Sequence, residues 1–168
     1  MQQGPELSEN LEDYLEAILE LEQTQKVARA KDIADKLGVQ RASVTGALKS
    51  LDKKGLINYQ PYSFITLTTK GAKIARKITR HHEVLKDFLV KVLQIAPQAA
   101  DETACRMEHA ITDETIERLI FFIDKLYNCP RTGTTWIQSV NRDCAQGPLD
   151  RDKCLNCISE CSRNLQEE

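Results

Sequence analysis

Hydrophobic and polar positions alternate with a helical period in three segments near the start of the chain. In residues 8–23, SENLEDYLEAILELEQ, leucine and isoleucine recur every three or four positions behind Ser8, which predicts an amphipathic helix with a serine cap. Residues 30–37, AKDIADKL, and 41–54, RASVTGALKSLDKK, show the same period. Gly38 stands between them, where helix ends favour glycine, so the pattern predicts two helices joined by a tight turn.

From residue 55 the apolar positions recur every second residue, as in paired strands. GLINYQPYSFITLT, residues 55–68, alternates apolar and polar positions around a turn at Gln60–Ser63, which predicts a β-hairpin. Two helices with a tight turn and a hairpin form a winged helix-turn-helix, whose second helix enters the DNA major groove. Two small helices that only build a core have the same pattern and remain the alternative. The residues predicted to bind DNA are Gln40, Arg41, Ser43 and Thr45 at base edges and Lys49 at phosphate.

The remaining pattern is helical up to residue 128 and then changes. A long helix is predicted over 69–93, a short helix over 98–110 and a third from residue 112 to a stop at Asn128–Pro130. Beyond that point cysteines and turn formers replace aliphatic residues. The sequence therefore predicts a mainly α protein of three parts: a winged helix-turn-helix domain at 1–70, a helical domain at 71–127 and a cysteine-rich tail at 128–168.

Charge is divided unevenly along the chain. Residues 26–91 carry 15 Lys/Arg and 5 Asp/Glu, whereas the whole chain has a net charge of −2. A basic block in an acidic chain favours an anionic partner, nucleic acid first, although a solvated surface has the same composition. No apolar run approaches the roughly 20 residues that span a bilayer, and the acidic N-terminus is unlike a secretory signal. We therefore expect a cytoplasmic protein without a membrane segment, in which cysteines favour metal or redox chemistry.

Metal-ligating side chains recur at helical spacing. In CRMEH the thiol, carboxylate and imidazole fall at i, i+3 and i+4, so a helix there would carry all three on one face. Carboxylate, imidazole and thiolate together suit a first-row divalent metal. Each residue taken singly is better explained by a solvated or hydrogen-bonded side chain, and the metal prediction depends on the cluster. The candidate ligands are Asp13 and Glu16 on the first helix, His82 on the long helix, and Cys105, Glu108 and His109.

Five motifs in order resemble one known family. They are LEDYLEAILELEQ, SVTGALKSLDKKGLI, LTTKG, RHHEVLKDFL and ACRMEHAITDETIERL. Over residues 7–126 they resemble the diphtheria-toxin-repressor family of metal-dependent transcriptional regulators. The resemblance implies a homodimer that dimerises and senses metal through residues 71–127. It also implies that Fe(II) or Mn(II) promotes binding to a palindromic operator in double-stranded DNA, usually to repress metal-uptake genes.

The resemblance also assigns the metal ligands and makes them a hybrid set. Asp13 and Glu16 match the manganese-responsive branch, whereas Cys105 matches the iron-responsive branch. His82, Glu108 and His109 match ligands of the family. Since a thiolate favours softer metals than Mn(II), we expect Fe(II) ahead of Mn(II).

The cysteine-rich tail lies beyond this resemblance. Three of its thiols fall at i, i+3 and i+7 in DRDKCLNCISECSRNL, and a fourth would come from one of two earlier positions. Four thiolates suit an iron–sulfur cluster or Zn(II), and disulfide or redox-sensing thiols are the third possibility. The candidate residues are Cys129, Cys144, Cys154, Cys157 and Cys161.

The function predicted from these features is metal-dependent DNA binding by a transcriptional repressor that controls metal homeostasis genes. One alternative is a metal-independent DNA-binding regulator that senses redox or iron–sulfur status through the tail. A metal-dependent hydrolase is the less favoured alternative, because the sequence has no phosphate-binding loop, nucleophile motif or HExxH. We therefore expect no enzymatic activity.

Overall fold

A computed structural model describes residues 7–60 and 63–128, together with residues 152, 155, 156 and 159. The chain divides into two compact units, unit 1 at Met1–His82 and unit 2 at Glu83–Glu168. Helices dominate the described residues, as the sequence predicts. The elements are α1 (Glu9–Gln25), α2 (Ala30–Leu37), α3 (Arg41–Lys53), β1 (Ile57–Asn58), β2 (Thr66–Leu67), α4 (Thr69–Asp87), a π-helical segment (Phe88–Val92), α5 (Pro97–Met107) and α6 (Asp113–Asn128).

The first three helices of unit 1 form where the apolar period predicts them. Ser8 is the N-cap of α1, but its side chain makes no capping hydrogen bond. Helix α2 ends at Gly38, whose φ of 65° lies in the left-handed region that glycine adopts without a steric cost. The apolar stripes of the three helices meet in one core, which fixes the faces that remain for ligands. Its largest fully buried members include Leu15, Ile18, Ile33, Val44, Leu48, Leu51, Ile57 and Ile65.

The predicted hairpin is confirmed as an antiparallel pair of short strands. Ile57 lies opposite Leu67 and Asn58 opposite Thr66, while Pro61 and Tyr62 of the predicted turn lie outside the described residues. A bridge between Ala28 and Ile65 continues the sheet toward the start of α2. On the side of β2 away from β1, the Leu67 N–H donates to Glu22 Oε1 at 2.9 Å. The wing, residues 55–68, is thus attached to α1 and to the segment just before α2.

The connection from the wing into α4 is tightly packed. Thr68 N–H donates to the Leu56 carbonyl at 3.0 Å, and Gly71 N–H donates to the Thr68 hydroxyl at 3.1 Å. Gly71 is buried in the first turn of α4, and a Cβ placed there would lie 1.9 Å from the Leu56 carbonyl oxygen. Only glycine fits this contact without movement of the wing backbone.

The helices of unit 2 differ from the prediction at two ends. The predicted helix over 69–93 is α-helical only to Asp87 and continues as a π-helical turn, in which Leu93 N–H bonds to the Phe88 carbonyl at 3.2 Å. The predicted helix over 98–110 ends at Met107. Residues 108–110 form a turn, after which Ile111 packs against the core of unit 2. Helix-type hydrogen bonds continue past Met107, from the Ile111 N–H to the Met107 carbonyl at 3.2 Å, so the second difference is confined to the final turn.

Unit 2 has a small core of its own. An ion pair between Lys86 and Asp101 joins α4 to α5. Thr112 accepts the Thr115 N–H at 3.2 Å at the start of α6, as a helix N-cap does. The buried core residues are Leu85, Leu89, Ala100, Ala104 and Ile116.

Among the described residues, none of the helices has the length and apolar character needed to cross a bilayer.

Candidate DNA interface and metal ligands

The residues predicted to read DNA lie on the solvent-facing side of α3. Val44, Leu48 and Leu51 point into the core, so the remaining face of the helix is turned outward. Gln40 is the N-cap residue of α3 and has an extended backbone conformation. The Thr45 hydroxyl donates to the Arg41 carbonyl at 3.1 Å. The exposed residues of the predicted set are Gln40, Arg41, Ser43 and Lys49, while Thr45 is half-buried. Their individual contacts with DNA stay a prediction.

A groove of about 610 Å³ separates α3 from the wing. Arg29, Arg41 and Lys49 line it, and no Asp or Glu is among its lining residues in the described part of the chain. The Arg29 guanidinium lies 5.2 Å from the centre of the Phe64 ring. Sequence reasoning missed Arg29 and Phe64, because a contact between residues so far apart leaves no periodic signal.

The candidate ligands of unit 1 lie on α1 and α4. Asp13 and Glu16 are half-buried on α1, and His82 is half-buried on α4. The Thr79 hydroxyl donates to Glu16 Oε1 at 2.9 Å. Because Thr79 precedes His82 by three residues, the two share a face of α4, and Glu16 therefore contacts the face that carries His82. Sequence reasoning did not identify Thr79 as a partner of the ligand set.

Tyr14, next to Asp13, is buried at 2% exposure. Burial raises the pKa of the Tyr14 hydroxyl above its ordinary value, and the negative charge of Asp13 raises the same pKa further. Tyr14 therefore stays protonated at neutral pH and adds no second negative charge beside Asp13.

The candidate ligands of unit 2 lie at the end of α5. The side chains of Glu108 and His109 are 1% and 7% exposed, and Glu108 Oε1 lies 3.4 Å from His109 Nε2. Two ligand atoms each about 2.1 Å from one ion are roughly 3.0–3.4 Å apart at angles between 90° and tetrahedral, so this pair fits a shared ion. Cys105 is exposed on the last turn of α5. Since α5 ends at Met107, the predicted helix face continues into a turn at Glu108 and His109.

The tail ligands cannot be placed in this way. Cys129, Cys144, Cys154, Cys157 and Cys161 lie outside the described residues. The tail site stays a prediction from sequence.

Two family models match the chain in succession. Residues 6–65 match the N-terminal DNA-binding domain of iron-dependent repressors, and residues 68–137 match their metal-binding and dimerisation domain. Both matches agree with the helices and wing described above.

Individual relatives are similar over the same region. An HTH-type transcriptional regulator of Methanocaldococcus jannaschii is 40% identical over 71% of this chain and 96% of its own length. The transcriptional regulator MntR of Escherichia coli O6:H1 is 35% identical over 70% of this chain and 75% of its own. The structure of the manganese regulator SloR is 30% identical with a TM-score of 0.63, over 74% of this chain and 58% of the SloR chain. The chain thus spans less than two thirds of SloR.

Proposed function

Since the chain belongs to the diphtheria-toxin-repressor family of metal-dependent transcriptional regulators, we propose that it represses metal-homeostasis genes by binding a palindromic operator as a homodimer in the cytoplasm. The observation that carries the metal dependence is the buried pair of Glu108 and His109, whose ligand atoms are 3.4 Å apart. A carboxylate and an imidazole withdrawn from water are costly unless charge or hydrogen bonds compensate. A divalent cation would supply that charge.

The proposed ligands are those that the family resemblance assigns. In unit 2 they are Cys105, Glu108 and His109. Metal binding would raise operator affinity if both ligands, metal and DNA, act on one equilibrium of the protein, as linkage requires. The ligands proposed in unit 1 are Asp13, Glu16 and His82.

We favour Fe(II) over Mn(II) as the metal. Asp13 and Glu16 are hard oxygen ligands that suit either ion, whereas the Cys105 thiolate favours the softer one. Cys105→Glu should therefore shift the preference toward Mn(II). The measurement is operator affinity against Fe(II) and Mn(II) concentration under anaerobic conditions, for wild type and variant. An unchanged ratio of the two activating concentrations would remove Cys105 from the ligand set.

The regulatory role of the metal is tested by replacing the buried pair. With Glu108 and His109 both changed to Ala, addition of metal should no longer raise operator affinity, whereas wild type should gain at least about tenfold, the scale of ordinary allosteric coupling. Glu102→Ala is the matched control, because it removes an exposed carboxylate from α5, the helix that precedes the pair. A double variant that responds to metal as wild type does would contradict the proposal.

The tail is proposed as a second sensing element. Its five cysteines fall within residues 129–161, and four thiolates would hold an iron–sulfur cluster or Zn(II). Bound metal there would supply folding free energy to a segment poor in aliphatic residues. Redox-active thiols without a metal are the alternative. In either case the tail would be a second input, added to the metal ligands proposed in units 1 and 2.

A further inference from the structure

The sheet bridge at the start of α2 places two side chains together on the outside of unit 1. Ile65 N–H donates to the Ala28 carbonyl at 2.9 Å, and both residues are fully buried. Successive residues of paired strands point to opposite faces, so the neighbours Arg29 and Phe64 point outward. Both are exposed, and the guanidinium lies 5.2 Å from the ring centre.

This contact holds an otherwise flexible cation in one place. An Arg over an aromatic face at this distance is attracted by the ring, and stacking reduces the conformational freedom that a later contact would remove. Arg29 is also the residue before α2, so its backbone is fixed by the helix-turn-helix and its side chain by the wing. The cation is therefore positioned by both DNA-binding elements of unit 1.

The surroundings of Arg29 favour an anion. Arg29 lines the groove of about 610 Å³ together with Arg41 and Lys49 of α3, and its described lining residues include no carboxylate. Three cations around one groove produce a positive potential that an isolated Arg does not. Arg41 and Lys49 lie on the exposed face of the helix that is proposed to enter the major groove, so the neighbouring anion is the DNA backbone.

We propose that Arg29, held by the ring of Phe64, binds a backbone phosphate of operator DNA at the edge of this groove. Arg29 contacts DNA, and Phe64 acts through Arg29 as a positioning residue. A planar guanidinium binds a phosphate through two parallel hydrogen bonds, and such contacts supply affinity and register without reading sequence. The inference rests on the proposed operator binding and adds a contact outside the recognition helix.

The first test is the salt dependence of binding by full-length, metal-loaded protein. Arg29→Ala should lower the slope of log affinity against log salt by about one for each protomer, or about two for the homodimer, on operator and random DNA alike. Lys31→Ala is the matched control, since it removes an exposed cation two residues away that does not line the groove. The Lys31→Ala variant should show the same salt dependence of affinity as wild type. An unchanged slope in Arg29→Ala would overturn the proposal.

The second test separates positioning from direct contact. Phe64→Leu should reduce affinity about two- to fivefold for each protomer, the effect of one exposed cation–π pair, or roughly four- to twenty-five-fold for the homodimer. Phe64→Tyr should retain wild-type affinity because the ring remains. In the Arg29→Ala background, Phe64→Leu should cause no further loss. The same loss in both backgrounds would overturn the positioning role. Wild-type protein that binds no operator DNA with metal present would overturn both this inference and the proposed function.

Discussion

Gly71→Ala tests how closely the first turn of α4 packs against the wing. The added Cβ would lie 1.9 Å from the Leu56 carbonyl oxygen, whereas real contacts are at least 3.0 Å, so the two atoms must separate by at least 1.1 Å. The obstacle is backbone, which cannot rotate away as a side chain would. The same oxygen accepts the Thr68 N–H, so the movement also breaks or lengthens a hydrogen bond.

The expected destabilisation follows from these two costs. Overpacking a well-packed site costs about 1–3 kcal/mol, and a lost hydrogen bond about 0.5–1.5 kcal/mol. The reduced entropy of the unfolded chain offsets about 0.4–1 kcal/mol. The net cost is therefore roughly 0.5–4 kcal/mol, which lowers the melting temperature by about 2–4 °C for each kcal/mol in a chain of this size.

The assay is thermal and urea denaturation followed by circular dichroism. Gly46→Ala is the control, because Gly46 is exposed within α3 and a Cβ there meets nothing within 4 Å. That variant should gain roughly 0.5–1 kcal/mol from helix propensity. If Gly71→Ala unfolds at the wild-type temperature or above it, the described contact between α4 and the wing is wrong.

Three further predictions concern the ligands and the DNA interface. Thr79→Val should weaken metal binding about tenfold by removing the hydrogen bond that orients Glu16, and Thr79→Ser should restore it; a metal titration that shows no difference would exclude that role. Lys49→Ala should weaken binding to all sequences alike and lower the salt slope by about one for each protomer. Arg41→Ala should instead relax discrimination at particular base pairs by about 1–3 kcal/mol; equal weakening on operator and random DNA would contradict the placement of Arg41. Cys157→Ser should abolish the tail centre, which anaerobic spectra with iron, sulfide and zinc counts identify as a cluster or as zinc; identical metal counts in wild type and variant would remove Cys157 from that centre.

Local sequence predicts the elements of unit 1 well, because their signals are local. The apolar stripes of α1 to α3 need only a helical period, and the end of α2 needs only a glycine that can adopt positive φ. The ends of the helices in unit 2 are different. Nothing near Asp87 or Met107 resembles a stop signal, and the packing of Leu89 and Ile111 decides the outcome.

The candidate sites, too, could be predicted only in part from the sequence. Ligand types and spacings such as Glu108–His109 are visible in the sequence, as is the polar face of α3. The partners that orient these residues are not visible, because each contact joins positions far apart in the chain. Thr79 and Glu16 are separated by 63 residues, and a single sequence contains no record of such a contact. Arg29 and Phe64 are a second example.

The hydrogen bond from the Leu67 N–H to Glu22 affects how the wings of neighbouring molecules can interact. The outer N–H of a short exposed strand is a template on which another chain can add a strand. In the wing, the outer N–H of Leu67 donates to the carboxylate of Glu22 on α1 at 2.9 Å. The N–H of Ile65 likewise donates to the Ala28 carbonyl. Two dimers bound to adjacent operators would hold their wings at high local concentration. Because these two donors are already satisfied within each chain, wings brought close together have little tendency to pair through this edge.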